Sequence, residues 1–253
     1  MDLAERISTL RRVNGLSARQ LAALVDVAPT TVTRIEAGQV SPSFDLAQEI
    51  MAVLGEPIGF IGTADVSAIA AARLVLEPKL GVAVTPGVEA WRQRWARIGL
   101  IDVDGRAVGG KEADLLFRAG RAARLTRRPG AVDFKEGSTA YDIAEALGAA
   151  GVEYAVTGDT GANIYRSSAG EAWPVLYVKD LERAAEAAGL ERKQPGSFGM
   201  RVTLIPFDGV SELGRTTIDG ITVAARDQVV LDAYGGVDRM AEQADILVGR
   251  RVA

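Results

Sequence analysis

The sequence predicts an α+β protein with an all-α amino-terminal part, a helical and basic middle part, and a carboxyl-terminal α/β part. Apolar residues recur at helical spacing before Pro129-Gly130, whereas helices alternate with short apolar, strand-like segments after it. Charge is segregated too: residues 1–60 carry 5 basic and 7 acidic residues, residues 61–130 carry 12 and 7, and residues 131–253 carry 12 and 19. We therefore predict domains over 1–60, 61–130 and 131–253, which a chain of 253 residues can accommodate.

The composition limits the chemistry that the chain can perform. Hydrophobic residues make up 48% and charged residues 25%, the balance of an ordinary globular protein. The sequence contains neither cysteine nor histidine, which excludes disulfides, thiolate nucleophiles, imidazole bases and the usual zinc ligand sets. We predict no metal and no cofactor. The amphipathic start lacks a signal-peptide core, and no run of 18 uncharged apolar residues occurs, so we expect a cytoplasmic protein without a membrane partner.

The first helix is predicted from an apolar stripe that ends near Asn14-Gly15, a pair typical of a helix C-terminus. The members of the stripe are Leu3, Ile7, Leu10 and Val13. Ser17 is a predicted N-cap for a second helix over residues 18–25. A short turn at Asp26-Val27 precedes a third helix over residues 29–37, which Pro29 can begin because the first helical residue needs no N–H. A fourth helix is predicted over residues 44–54. Two short helices joined by a tight turn predict a helix-turn-helix.

Residues 10–55, LRRVNGLSARQLAALVDVAPTTVTRIEAGQVSPSFDLAQEIMAVLG, resemble the Cro/lambda-repressor type of helix-turn-helix found in the xenobiotic-response-element family of bacterial regulators. The resemblance includes RIEAG after the third helix and SPS before the fourth. It implies a five-helix module whose recognition helix enters the major groove of double-stranded DNA. We accordingly predict that the protein is a homodimeric transcriptional repressor that binds a palindromic operator. The alternatives are a helix-turn-helix kept only as a dimerisation scaffold and a chance pair of helices.

The resemblance also implies which side chains contact DNA. The candidates for base edges are Ala28, Pro29, Thr30, Thr31 and Thr33, and those for phosphates are Arg19 and Arg34. The family often has Gln at the start of the second helix, where this chain has Ala18, so one common contact is missing. Threonine hydroxyls pair with several bases and threonine methyls contact thymine, so these residues do not predict an operator sequence.

The middle part is predicted to contain helices over residues 67–76 and 86–98, followed by a β-hairpin at Asp104-Gly105. Two helices followed by a hairpin indicate a winged-helix-like arrangement. Trp91 and Trp95 lie four residues apart on one helix face. Tryptophans at this spacing more often belong to a core or a dimer interface than to a platform for stacking bases.

Residues 110–128 are predicted to form one helix with Leu115, Leu116, Ala119, Ala123 and Leu125 facing inward. Its basic stripe consists of Arg118, Arg121, Arg124, Arg127 and Arg128. The helix dipole explains cations only near the C-terminal end of a helix. We therefore consider a second nucleic-acid contact, to double- or single-stranded DNA. The alternatives are solvated helix surface and a stripe that holds the acidic carboxyl-terminal domain.

The carboxyl-terminal part is predicted to alternate helices with strands over residues 152–156, 174–179 and 200–207. Its segments ALGAAGVEYAVTGDTGANIYR, VLYVKDLERAAEAAGL, VTLIPFDG and ARDQVVLDAYGGVDRMAEQADIL resemble the carboxyl-terminal domain of AbiEi-type antitoxins. The resemblance implies an antitoxin-type autorepressor with a toxin partner, which is the alternative function. We predict that the domain senses a small-molecule effector, nucleic acid or a protein partner. That family usually begins with a winged helix, and this chain does not.

The segment AVTGDTGANIYR also resembles nucleotidyltransferases, which would make the domain a degenerate version of that fold. Their chemistry requires two carboxylates, one residue apart on the strand after a Gly-Ser turn, to hold two metal ions. Here the turn is residues 157–161, the strand over residues 174–178 carries no carboxylate, and Asp159 alone cannot bind two metals. We predict no enzyme and no catalytic residue. A pocket left by such a fold would still accept a ligand or a nucleic-acid end.

Overall fold

A computed structural model of the protein describes residues 2–56, 64–135, 137–166, 173–193, 201–236 and 240–250. The helices in these residues are α1 (Leu3–Val13), α2 (Ala18–Leu24), α3 (Pro29–Glu36), α4 (Phe44–Val53), α5 (Ser67–Leu76), α6 (Pro86–Arg97), α7 (Glu112–Ala122), α8 (Ala140–Ala149), α9 (Gly158–Tyr165), α10 (Leu181–Ala187), α11 (Arg226–Gly235) and α12 (Met240–Val248). The strands are β1 (Val132–Lys135), β2 (Tyr154–Thr157), β3 (Val175–Val178), β4 (Arg201–Pro206), β5 (Thr216–Ile218) and β6 (Ile221–Val223). Among these helices, none has the length and apolar character to cross a membrane.

The amino-terminal helices follow the sequence pattern closely. Ser17 caps α2 in a reciprocal capping box with Gln20, as its position before the helix predicted. The predicted stripe of α1 is only half correct, because its ends, Leu3 and Val13, are exposed. Residues 2–56 contain four helices where five were predicted, and the next helix, α5, packs mainly against α6 and α7. The predicted boundary at residue 60 lies within residues 57–63, outside the described residues.

The middle part departs from the sequence expectation at α7. The predicted single helix over residues 110–128 ends at Ala122, and a short 3₁₀ turn over Leu125–Arg127 follows. Arg128 is extended, with φ −62° and ψ 140°, because a residue that precedes proline avoids helical geometry. All five predicted inward residues of this segment are buried. The predicted hairpin is present as one antiparallel bridge between Ile101 and Ala107. A winged-helix-like arrangement stays a prediction.

The carboxyl-terminal part is a six-stranded mixed sheet in the order β1-β4-β3-β2-β6-β5. β2 and β3 are antiparallel, whereas β3 pairs with β4 and β2 pairs with β6 in parallel. Side chains alternate along β3: Leu176 and Val178 pack in a cluster with α8 and α10, and Val175 and Tyr177 pack with α9, α11 and α12. The sheet is therefore covered on both faces, and an α+β class is correct. The sequence prediction missed β1 and β5.

The helix pair α7 and α11 joins the middle part to the carboxyl-terminal part. A Cβ atom added to Gly120 of α7 would lie 2.3 Å from the Leu231 carbonyl oxygen of α11, and one added to Gly235 would lie 2.8 Å from the Gly120 oxygen. Glycine therefore permits the close approach of the two helices. One hydrophobic cluster runs from Ile7 of α1 through α5, α6 and α7 to Leu247 of α12. The division into three domains stays a prediction, and the parts share this core.

Candidate nucleic-acid interface

The helices α2 and α3 form the predicted helix-turn-helix. Asp26 makes the turn in the left-handed region, with φ 54°, which an aspartate tolerates better than most residues other than glycine. α3 begins at Pro29 without a side-chain cap, because Ala28 at the N-cap position has no side-chain oxygen. Val32 and Ile35 are fully buried against α1 and α2 and fix which side of α3 faces out.

The residues predicted to contact DNA lie on the outer side of this unit. Ala28, Pro29, Thr30, Thr33, Arg19 and Arg34 are exposed, and Thr31 is half-buried. Arg19 lies in the first turn of α2, and residues 28–31 form the leading end of α3. The structure thus brings six of the seven predicted residues to an accessible surface, which is the arrangement that a recognition helix requires.

Thr33 has a restricted hydrogen-bonding role. Its Oγ1 donates to the Pro29 carbonyl oxygen at 3.1 Å, one helical turn earlier. The hydroxyl proton is engaged, so the oxygen is left to accept a hydrogen bond and the methyl group is left for apolar contact. Thr33 therefore suits a base that presents a donor, adenine N6 or cytosine N4, or the methyl group of thymine.

An ion pair that the sequence analysis missed holds α3 in place. Arg11 of α1 donates from Nε and Nη2 to the two oxygens of Glu36 at 2.6 and 2.8 Å, and from Nη1 to the Leu16 carbonyl oxygen at 2.7 Å. The hydrogen bond to Glu36 raises the pKa of Arg11. The partners are 25 residues apart, so no local spacing in the sequence indicates the pair.

The opposite side of the helix-turn-helix is docked on α6 and α7. Arg94 and Arg97 of α6 pair with Glu49 at 2.6 Å and with Asp26 at 3.3 Å. From the α7 region, Arg118 donates to the Asn14 carbonyl oxygen at 3.1 Å, and Arg124 pairs with Glu56 at 3.1 Å. The helix-turn-helix region, residues 2–56, therefore contacts the middle part both at its turn, through Asp26, and at its end, through Glu56.

Gly55 marks the closest approach in this docking contact. It has φ +82°, and an added Cβ atom would lie 2.2 Å from the backbone oxygen of Arg121. Both the left-handed backbone and the lack of space require glycine here. The helix-turn-helix region is therefore packed directly onto α7.

The predicted basic stripe does not form one phosphate-facing surface. Arg128 is 3% exposed and pairs with Asp232, so its prediction as a nucleic-acid contact is wrong: the extended backbone before Pro129 directs it into the protein. Burial lowers the pKa of Arg118, Arg121 and Arg124, which are half-buried beside the helix-turn-helix region. A phosphate contact by these three or by half-buried Arg127 stays a prediction.

Arg128 belongs to a buried polar network that joins the 3₁₀ turn, the sheet and α11. Its Nη2 donates to Asp232 Oδ1 at 2.6 Å, and Tyr177 Oη donates to the same oxygen at 3.0 Å. Thr157 and Gln228 also donate to Asp232, at 2.7 and 3.0 Å. Burial raises the pKa of Tyr177 well above its ordinary value, which keeps this side chain a neutral donor. Arg128, Thr157 and Tyr177 lie 55 or more residues from Asp232 along the chain, so no local spacing in the sequence indicates this network.

Core side chains pack next to the turn that resembles a nucleotidyltransferase. Gly158 and Asp159 begin α9, and an added Cβ atom on Gly158 would meet Met240 Cε and Val175 Cγ2 at 3.5 Å. An added Cβ atom on Gly161 would meet Val229 at 3.1 Å. Within the described parts of the chain, no group of three or more Asp or Glu residues is placed to hold a metal ion.

Trp91 and Trp95 are core residues. Both are buried, their ring centroids lie 5.6 Å apart, and Trp91 Nε1 donates to Asp65 Oδ2 at 2.8 Å. The interpretation of this pair as core is confirmed, and buried rings cannot serve as a stacking platform.

Comparison with known proteins identifies one region of the chain. Residues 7–61 match a family described as helix-turn-helix, of the Cro/C1 type that the sequence analysis predicted. No curated protein and no solved structure matches the chain. The match supports a DNA-binding transcriptional regulator, and it does not extend to the region that resembles AbiEi-type antitoxins.

Proposed function

We propose that the protein is a homodimeric, sequence-specific repressor that binds a palindromic operator in double-stranded DNA through α2 and α3. The observation that carries this proposal is the exposed leading end of α3, where Thr30 and Thr33 face outward. The helix is held in place by the buried side chains of Val32 and Ile35. The ion pair between Arg11 and Glu36 also holds it. A rigid helix with small outward side chains fits closely against base edges in a major groove.

The charge distribution around α3 supports contacts to phosphates. Among the described residues, Arg19 and Arg34 are exposed and take part in no ion pair, whereas Arg6 and Arg11 of the same region are paired with Glu56 and Glu36. Two unpaired guanidinium groups beside the recognition helix can neutralise DNA phosphates, which provide most of the affinity that does not depend on sequence. The net charge of −4 for the whole chain does not oppose this, because binding depends on the local charge.

We further propose that the carboxyl-terminal part has a sensing or partner-binding role and no nucleotidyltransferase activity. Met240 and Val175 lie next to the Gly158 turn, and β3 carries no carboxylate for a metal ion. Incubation of the chain with Mg²⁺, nucleoside triphosphates and an RNA or protein acceptor is expected to leave the acceptor unlabelled. Metal-dependent transfer that survives repurification would contradict the proposal.

Genome-wide mapping of bound sites, followed by a footprint at the strongest site, tests the regulatory proposal. We expect two protected half-sites about one helical turn apart, roughly 10 to 10.5 bp, and a complex whose mass contains two chains. A single protected half-site in a complex with one chain would overturn the dimeric proposal. An antitoxin-type autorepressor would bind DNA in the same way, but it would also form a stable complex with the product of a neighbouring toxin gene.

A further inference from the structure

An open groove lies between α8 and the hairpin formed by β5 and β6. Its volume is about 700 Å³, within the range of about 300–1,000 Å³ that small-molecule sites occupy. Its polar and aromatic lining consists of Tyr141, Glu145, Tyr154, Asn163 and Asp219. The groove is therefore large enough for an organic ligand, and it is separate from α2 and α3.

The groove exists because one face of α8 carries small residues. Ala144, Gly148 and Ala149 line it, and an added Cβ atom on Gly148 would meet no atom within 4 Å. Ile164 and Ile221, both half-buried, form part of its apolar surface. A larger residue at position 148 would therefore extend into open space without displacing a neighbour, so substitution at this position can narrow the groove.

The charged residues that line the groove are acidic. Glu145 lies on the α8 side and Asp219 on the hairpin side, both exposed, and no lysine or arginine is among the lining residues that the structure describes. Within those residues, neither carboxylate takes part in an ion pair. Asp219 and Gly220 have φ angles of 50° and 83°, the signature of a type I′ turn, which fixes the position of Asp219 on the short hairpin.

Aromatic groups accompany these carboxylates. Tyr141 precedes Glu145 by one helical turn and is 48% exposed, and Tyr154 is buried within the lining. The face of a tyrosine ring attracts a cation within about 6 Å of its centroid. Carboxylates on two sides of the groove, with no basic side chain in its described lining, favour a cationic group over a neutral or anionic one.

We propose that this groove binds a small organic cation with an apolar body. Its ammonium or guanidinium group lies near Glu145, Asp219 and the ring of Tyr141, and its apolar part packs on the small residues of α8. The role of this ligand as the effector of a repressor rests on the proposed function. The binding itself does not.

The probe for the test is benzyltrimethylammonium, titrated into the full chain by calorimetry in the absence of DNA. Benzyl alcohol and benzoate have similar apolar bodies but carry no charge and a negative charge, respectively. We expect benzyltrimethylammonium to bind most tightly, because only this probe complements the two carboxylates. Equal binding of the cationic and neutral probes, or no binding of the cation, would overturn the proposal.

Three variants locate the site. Gly148→Leu is expected to weaken binding by narrowing the groove beside α8, and Glu145→Gln with Asp219→Asn is expected to weaken it roughly tenfold. Asparagine tolerates the left-handed backbone at position 219, so the turn is retained. Glu186→Gln, an exposed change on α10 outside the lining, is the control and is expected to leave binding unchanged. Full binding by Gly148→Leu would also overturn the proposal.

The outcomes separate this inference from the proposed function. Because the titration contains no DNA, a chain that fails to bind an operator can still bind the cation. Conversely, a chain that protects two half-sites can fail to bind the probe. The operator footprint and the calorimetric titration therefore succeed or fail independently.

Discussion

Arg128 and Asp232 form an ion pair with a 2.6 Å contact in which both side chains are almost completely buried. Arg128 follows the 3₁₀ turn after α7, and Asp232 lies in α11, so the pair joins the middle part to the carboxyl-terminal part. Asp232 accepts further hydrogen bonds from Thr157, Tyr177 and Gln228. A charge in such a site depends on its partner, because water cannot replace it.

Arg128→Met is expected to lower the free energy of unfolding by about 3–5 kcal/mol, because it leaves the Asp232 carboxylate buried without its cation. Urea unfolding at neutral pH measures the change. Arg106→Met replaces an exposed arginine of the same part of the chain and is expected to alter the free energy of unfolding by less than about 0.5 kcal/mol. Equal stability of the two variants would show that the buried pair does not join these elements.

The contrast between Ser17 and Arg128 shows which features the sequence can predict. Ser17 caps α2 through Gln20, three residues away, so local spacing was sufficient. The partner of Arg128 lies 104 residues away, and helical periodicity places arginines on a face without telling what covers that face. The sequence therefore showed where the arginines lie along the chain, but the predicted outward orientation of Arg128 was wrong.

Gly55→Ala is expected to destabilise the protein more than Gly15→Ala. Both glycines have positive φ, +82° and +61°, so alanine should cost about 1–2 kcal/mol at each through backbone strain. Only at Gly55 does the added Cβ atom also meet the Arg121 oxygen, at 2.2 Å, whereas at Gly15 no atom lies within 4 Å. Denaturant unfolding of both variants measures the difference. Equal losses would show that the helix-turn-helix region is not docked on α7 through Gly55.

Thr30→Ala and Thr33→Ala are each expected to reduce the preference for the operator over random DNA by about 1–3 kcal/mol, if these side chains read bases. Thr33→Val separates two kinds of contact, because valine keeps a methyl group and removes the oxygen that can accept a hydrogen bond. Thr217→Ala, on exposed β5, is the control. Competition binding with operator and random duplexes provides the measurement. If both alanine variants keep the full preference for operator over random DNA, residues outside α3 must recognise the bases.

The hairpin of β5 and β6 shows a second limit of the sequence analysis, because a usable signal was present and was missed. Asp219-Gly220 is the same type of pair as Asp104-Gly105, which was recognised as a hairpin. A short strand was predicted at the start of ITVAARDQVV, where β6 lies, whereas β5 is only three residues long and carries too little alternation to be recognised alone. The groove beside α8 could not be predicted either, since it arises where α8 meets this hairpin.

The salt dependence of DNA binding distinguishes arginines that contact phosphates from arginines that hold the protein together. Arg19 and Arg34 are exposed beside α3, whereas Arg118 and Arg124 are half-buried and bonded to Asn14 and Glu56. Each phosphate contact that is lost on duplex DNA makes the slope of log K against log salt shallower by about 0.9, and by about 0.7 on single strands. Arg19→Gln with Arg34→Gln removes two phosphate contacts from each chain of the proposed dimer, and is therefore expected to reduce the duplex slope by about 3.6 if both side chains contact phosphates.

The matched pair Arg118→Gln with Arg124→Gln removes the same number of charges from the docking contact. We expect an unchanged salt slope, since these guanidinium groups face Asn14 and Glu56, and a lower urea midpoint, since the contact between the helix-turn-helix region and α7 is weakened. Slopes are measured on duplex and single-stranded DNA, together with the mass in solution. A shallower salt slope with an unchanged urea midpoint would show that both arginines contact phosphates and do not hold the helix-turn-helix region on α7. An unchanged slope with unchanged stability and mass would contradict both roles.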